Sequence, residues 1–225
     1  SLKNRRFDYR AVFVPETIGS ITYLSKNYQK LKENVIAGFN ITCVGDDNSY
    51  SFLPSRDGNT LSDIVAKHVL KHHAKTFEEY SFLDRGSDER QYCSPGIDLP
   101  IASIMRTKYG EYEQYHTSLD NLDFISDKGL YGAFKALALS IICIENNKVY
   151  KYTNLCEPQL GKRGLRSTIG AINNMTQFNK DVINILAYAD GEKDLISIAI
   201  EIERPLWELI QVVDKLVEHN LLIEV

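Results

Sequence analysis

Ala11-Val12-Phe13-Val14-Pro15-Glu16-Thr17-Ile18-Gly19-Ser20 is the stretch on which the fold class turns. Four apolar residues in a row, closed by a proline, predict a strand buried on both faces. Gly19-Ser20 then opens a helical spacing through Ile21, Leu24, Tyr28 and Leu31. Strand followed by helix recurs downstream. Val35 to Val44 is strand-like and ends at the turn Gly45-Asp46-Asp47-Asn48. Tyr50 to Leu53 alternates weakly, and Leu61 to His73 carries Leu61, Ile64, Val65, His68 and Val69 on one helical face. Asp84 to Asp98 has no period and predicts a loop, whereas Pro100 to Met105 predicts another apolar strand. Asp127 is placed to cap a long helix through Leu130, Phe134, Leu137, Ala138 and Ile141. The alternation predicts an α/β domain with a mixed sheet, whose sites lie in loops beyond the carboxyl ends of strands.

The pattern changes after Tyr152. Residues 1–153 read as the α/β domain, 154–170 as a polar, glycine-rich linker, and 171–225 as a small winged-helix domain. In the last part three short helices begin near Phe178, Asp194 and Pro205, and Leu221 to Val225 closes as a strand.

Bulk properties narrow the classes. The chain has 225 residues, 25% of them charged, with a formal net charge of −4. Residues 171–225 hold four cationic residues (Lys180, Lys193, Arg204, Lys215) against ten acidic ones, which disfavours nucleic-acid binding. No 18-residue apolar run and no leader pattern is present, so a cytoplasmic protein without membrane contact is expected. The scattered Cys43, Cys93, Cys143 and Cys156 predict reduced thiols.

Several polar residues are candidates for chemistry. Glu16 follows the first strand directly, where partial desolvation would suit a general base; a carboxylate meeting a helix dipole is the plainer alternative. His116 sits in Tyr115-His116-Thr117-Ser118-Leu119-Asp120-Asn121, where an imidazole can meet a metal and Asp120 can orient it; a surface histidine is the alternative. Asp88, in Gly86-Ser87-Asp88-Glu89-Arg90-Gln91, could ligate a metal or orient His116, or be a solvated turn beside a Glu89–Arg90 pair. Arg106 could grip a carboxylate or an oxyanion, or form a structural ion pair. His68 and His72 have zinc-compatible i,i+4 spacing but lack an accompanying glutamate. Cys43 and Cys93 read as buried small hydrophobes.

Taken in order, Phe13 to Ser20, Thr42-Cys43-Val44-Gly45-Asp46, Ser87 to Gly96, Met105-Arg106-Thr107, Tyr115 to Asn121 and Cys156 to Gly164 resemble a motif series of one family. The family is that of bacterial aminopeptidase-like proteins, often labelled polysaccharide-biosynthesis proteins, which end in a winged helix. The resemblance covers nearly the whole chain. More distantly the series is similar to the di-zinc aminopeptidase and glutaminyl cyclase superfamily. It implies a zinc-exopeptidase-like α/β domain and a metal-dependent hydrolase of small peptides or related amides. Glu16 would be the base and His116 a metal ligand, with Asp88 a further ligand. Arg106, Tyr115, Asp120 and Glu89 would serve substrate or outer-shell roles. The pattern departs at Thr17, where the superfamily has a second glutamate, and at Cys43, where a ligand aspartate is expected. One zinc ion is therefore more plausible than two. The superfamily's earlier His and Asp ligands fall outside the chain, so the resemblance implies a truncated form with an incomplete site, inactive unaided. A non-catalytic binding or assembly module remains the alternative, with Trp207 and Leu206 as candidate anchors, core packing being the plainer reading of both, and a homo-oligomer among the allowed states.

Overall fold

The structure, a computed structural model, describes residues 5–74, 76–163 and 176–225. It divides into two compact units, Ser1–Ile144 and Glu145–Val225.

The first unit is built on a four-stranded mixed sheet. Its strands are β1 (Gly38–Asn40), β2 (Ser51–Leu53), β3 (Glu78–Glu79) and β4 (Ile101–Met105), in the order β1-β4-β2-β3. β1 runs parallel to β4, β2 antiparallel to β4, and β3 parallel to β2. Helices α1 (Ile18–Asn34), α2 (Leu61–His73), the single turn α3 (Glu89–Tyr92) and α4 (Asp127–Asn146) complete it.

Local chemistry explains these elements. α2 begins where Asp63 reaches back to accept from the Thr60 N–H at 2.9 Å, satisfying a donor the helix itself cannot. Its apolar stripe, Val65, Ala66, Val69 and Leu70, is fully buried. Ser62 Oγ fastens α2 to the sheet, donating to Pro100 O at 2.6 Å and accepting from Gly38 N at 2.9 Å. α1 buries Leu24 and Leu31 against Leu99, with Tyr92 and Ile101 beside them. A second apolar cluster joins Leu53, Met105 and Tyr109 to Cys43 and Tyr115.

α4 has the length and composition of a membrane span, the only such helix among the described residues. Its buried residues Gly129, Ala133, Ala136, Ser140 and Cys143 recur every three or four positions, the stripe of a helix laid on a core. Leu130, Tyr131 and Phe134 stand exposed on it.

The second unit pairs β5 (Val149–Tyr152), β6 (Asp190–Asp194) and β7 (Leu222–Glu224) as an antiparallel sheet with β5 central. Helices α5 (Gln177–Tyr188), α6 (Leu195–Glu201) and α7 (Leu206–Glu218) pack with it. Asp194 caps α6 by accepting from Ser197 N at 3.0 Å, and Pro205 immediately precedes α7. Asp181, 3% exposed, is held by Arg204 Nε at 3.1 Å.

Four expectations need correction. Ala11 to Val14 is not a strand: Phe13 is 93% exposed, and none of the four belongs to the sheet. Apolar sequence alone does not make a strand, which also needs a ladder partner for its N–H and C=O groups. Only Gly38–Asn40 of the long Val35–Val44 stretch enters the sheet. The loop at 84–98 contains α3. Finally, the units divide after Ile144, not after residue 153, because β5 is the central strand of the second sheet. Part of the expected linker, 164–170, lies outside the described residues.

Two outcomes follow. A Cβ on Gly129 would lie 2.1 Å from Gly45 O and 2.3 Å from Asp46 O, both rigid backbone. Gly129→Ala should cost about 2 kcal/mol or more of stability in denaturant titration, as overpacked sites do. His68 is 2% exposed, and burial, then His72 and Lys71, lower its pKa from 6.5 to about 4. The neutral ring is favoured in the fold, so stability is full above pH 6.5 and falls as pH drops toward 4. At about 1.4 kcal/mol per unit the loss is on the order of 3 kcal/mol, and His68→Gln should flatten that slope in pH-dependent melts.

Candidate functional site

The site grows from the turn between Val14 and α1. Ile18 N donates to Glu16 O at 2.7 Å, and Thr17 between them has φ 62 and ψ −71. That is the positive-φ γ-turn, a strained conformation for a β-branched residue. Two residues of α3 and its entry hold it. Asp88 Oδ1 accepts from Thr17 N at 2.7 Å, and Arg90 Nη2 donates to Thr17 Oγ1 at 2.8 Å. Asp88 therefore grips the backbone next to Glu16, while Arg90 pairs with Thr17 instead of forming the local Glu89–Arg90 couple.

Glu89 lies between these two and is fully buried. Its carboxylate accepts from Gly86 N (2.9 Å), Ser87 N (3.0 Å), Tyr109 Oη (2.8 Å) and Asn40 Nδ2 (2.8 Å). With its lone pairs so occupied, Glu89 is an anchor of the scaffold. Burial and the Glu89 charge push the Tyr109 hydroxyl far up, so it stays a donor.

Arg106 is 4% exposed. Its Nε donates to Asp46 O at 2.8 Å and its guanidinium lies 3.8 Å from the Tyr50 ring centre. Asp46 is taken up by Thr107 N (3.0 Å), Thr107 Oγ1 (2.6 Å) and Asn48 N (3.1 Å). These contacts fix the Gly45–Asp46 turn beyond β1, where Ser126 N also donates to Gly45 O.

Glu16 itself is exposed, not desolvated as the sequence suggested, because the residues before it have no sheet to cover them. Its charge nevertheless reaches the tyrosine-rich loop. Burial raises the Tyr115 hydroxyl, and after burial the largest influence is Glu16, followed by Cys43, with Arg90 opposing. Tyr115 stacks on His116 with ring centres 4.0 Å apart and planes 16° from parallel. Glu16 thus acts electrostatically on a tyrosine that is itself stacked on His116, and His116, like Thr17 and Cys43, has a positive φ. Asp120 is exposed beside them.

A cavity of about 330 Å³ lies in the same region, bounded by Cys43 and Asp46 beyond β1 and by Tyr112, Tyr115, Asp120 and Phe124 of the irregular loop. Cys43, expected as a buried hydrophobe, is half-buried there, its Sγ 3.7 Å from Tyr112 Oη. Burial raises its pKa, so it is a thiol, not a thiolate. Cys93 is fully buried, and all four cysteines are free. Tyr112 and Phe124 went unnoticed in the sequence; the richness of residues 106–126 in tyrosine was the signal available.

Zinc needs three or four converging donors. Among the described residues no group of three or more His, Cys, Asp or Glu side chains converges in that way. The Asp88 oxygen points at Thr17 N, and His72 meets His68 edge-on with ring centres 4.9 Å apart. The donors described do not fit a resident zinc ion.

Comparison with known proteins bears on the family and the fold. A winged helix-turn-helix family model matches residues 148–224. A Clostridium acetobutylicum protein, provisionally named a polysaccharide biosynthesis protein with aminopeptidase-like domain, is 42% identical over 86% of this chain and 44% of its own length. A crystal structure from the same organism, provisionally described as a peptidase, matches with TM-score 0.84 and 37% identity over 94% of this chain and 47% of that one. The chain thus spans about half the length of these relatives. An aminopeptidase from Aneurinibacillus sp. strain AM-1 gives TM-score 0.45 at 19% identity, over 57% of this chain and 30% of that one. Residues 1–147 match the family model described as a domain of unknown function, DUF4910, and the chain belongs to that family, with a winged helix-turn-helix at its C-terminal end.

Proposed function

We propose that this chain carries the base-bearing part of an amide hydrolase of the aminopeptidase-like kind, acting on small peptides or related amides. The reading is supported by the Asp88 and Arg90 contacts that hold the turn bearing Glu16, and by the electrostatic influence of Glu16 on the Tyr115 hydroxyl beside the Tyr115–His116 stack. In this reading Glu16 takes a proton from the attacking water and returns it to the leaving amine. Asp88 and Arg90 are positioning residues, holding the strained Thr17 turn so that the carboxylate keeps one orientation. Arg106 and Glu89 hold the loops on which the site stands. Since the donors described do not fit a metal ion, none of these steps passes through one.

The acidic second unit favours the assembly reading over DNA binding. The exposed side of α7 carries Glu208, Asp214 and Glu218, which repel phosphate.

Two measurements test the reading. On the whole protein as the cell makes it, Glu16→Gln should lower kcat for leucinamide hydrolysis by about a hundredfold or more, the usual worth of a general base, with KM little changed. Asp88→Ala should lower kcat about tenfold without an equal change in KM, as lost positioning does. Unchanged kcat in Glu16→Gln would refute the assignment. Separately, these 225 residues purified alone should hold well below one zinc per chain by elemental analysis. A full equivalent would show that the donor set has been misread.

A further inference from the structure

The cavity beside Tyr115 has a lining that the base chemistry leaves unused. Three aromatic rings form one wall: Tyr112 stacks on Phe124 with centres 5.0 Å apart, and Tyr115 meets Tyr112 edge-on at 5.6 Å. Aromatic faces are electron-rich and attract organic cations. Two carboxylates, Asp46 and Asp120, complete the polar part, and no lysine or arginine lines the space.

The two acids are not equivalent. Asp46 is occupied by Thr107 and Asn48. Asp120 is exposed and forms no ion pair among the described residues. Its charge is felt in the cavity, where it helps raise both the Tyr112 hydroxyl and the Cys43 thiol. Arg90, the cation whose charge is felt at Tyr115, donates to Thr17 Oγ1. Val44 and Ile125 add aliphatic surface that would suit a methylene chain. A volume of about 330 Å³ is the size of a small-ligand site.

We propose that this cavity is a recognition site for an alkylammonium group, with Asp120 as its counter-charge and Tyr112, Tyr115 and Phe124 as its aromatic wall. The cation could be supplied by a lysine-like side chain or by an amino sugar. Either would give the hydrolase a preference for positively charged substrates, set by residues other than Glu16. Binding can be read without turnover, so the site stands or falls independently of the proposed hydrolysis.

The test is a ligand-observed NMR titration of the chain at mildly acidic pH. The charged probes are Nα-acetyl-lysine amide and D-glucosamine; the neutral counterparts are Nα-acetyl-norleucine amide and N-acetylglucosamine. At least one charged probe should bind about tenfold tighter than its neutral counterpart, and the probe that does so names the source of the cation. Asp120→Asn, on an exposed side chain with no hydrogen bond or ion pair among the described residues, should abolish most of that difference. Asp123→Asn, a nearby exposed acid outside the lining, should leave it intact. Equal binding of charged and neutral probes, no binding of either charged probe, or equal loss in both variants would overturn the proposal.

Discussion

The carboxylate of Glu89 is the contact on which the first unit depends. It is fully buried and meets four donors drawn from three places: Asn40 on β1, the Gly86–Ser87 backbone, and Tyr109 beyond β4. A buried charge is tolerable only when hydrogen-bonded in this way, and the requirement is strict enough to fix the segments that supply the donors. Because Glu89 is held, its neighbours Asp88 and Arg90 are held too. They in turn hold Thr17, and Thr17 sets where Glu16 stands. One desolvated carboxylate thus organises a second, exposed one.

The helices were the legible part of the fold. α2 spans the residues its periodicity marks, Leu61 to His73, and α7 begins directly after Pro205. In both, the apolar spacing and the first-turn chemistry agree, so local sequence suffices. Strands depended on partners that sequence does not name. Ala11 to Val14 has a core-strand composition and no ladder, while Asp190–Asp194, acidic and unremarkable in composition, is paired because β5 lies beside it. Strand formation is a property of two segments, and only one can be read at a time.

The site was legible residue by residue but not as a surface. Glu16 stands out beyond an apolar run, Asp88 in an acidic loop, and Tyr115 and His116 at the centre of a dense polar stretch. What each one does was hidden. Asp88 could be seen as a ligand, yet its oxygen meets a backbone N–H 71 positions away. Arg106 read as an anion grip or, more plainly, a structural ion pair, and its Nε instead secures a backbone carbonyl while the guanidinium rests on Tyr50. Tyr112 and Phe124 had no period to mark them, because the loop from 106 to 126 is irregular, and their common role depends on a fold that brings Cys43 beside them.

The γ-turn at Thr17 has a further consequence. Glycine would sit in that conformation at far lower cost, but it would lack the oxygen that Arg90 grasps. The chain keeps the more expensive residue, so the segment is loaded like a sprung latch, with α3 as its catch. Losing either α3 contact would remove a restraint on this strained backbone, and with it a restraint on the carboxylate one residue before it.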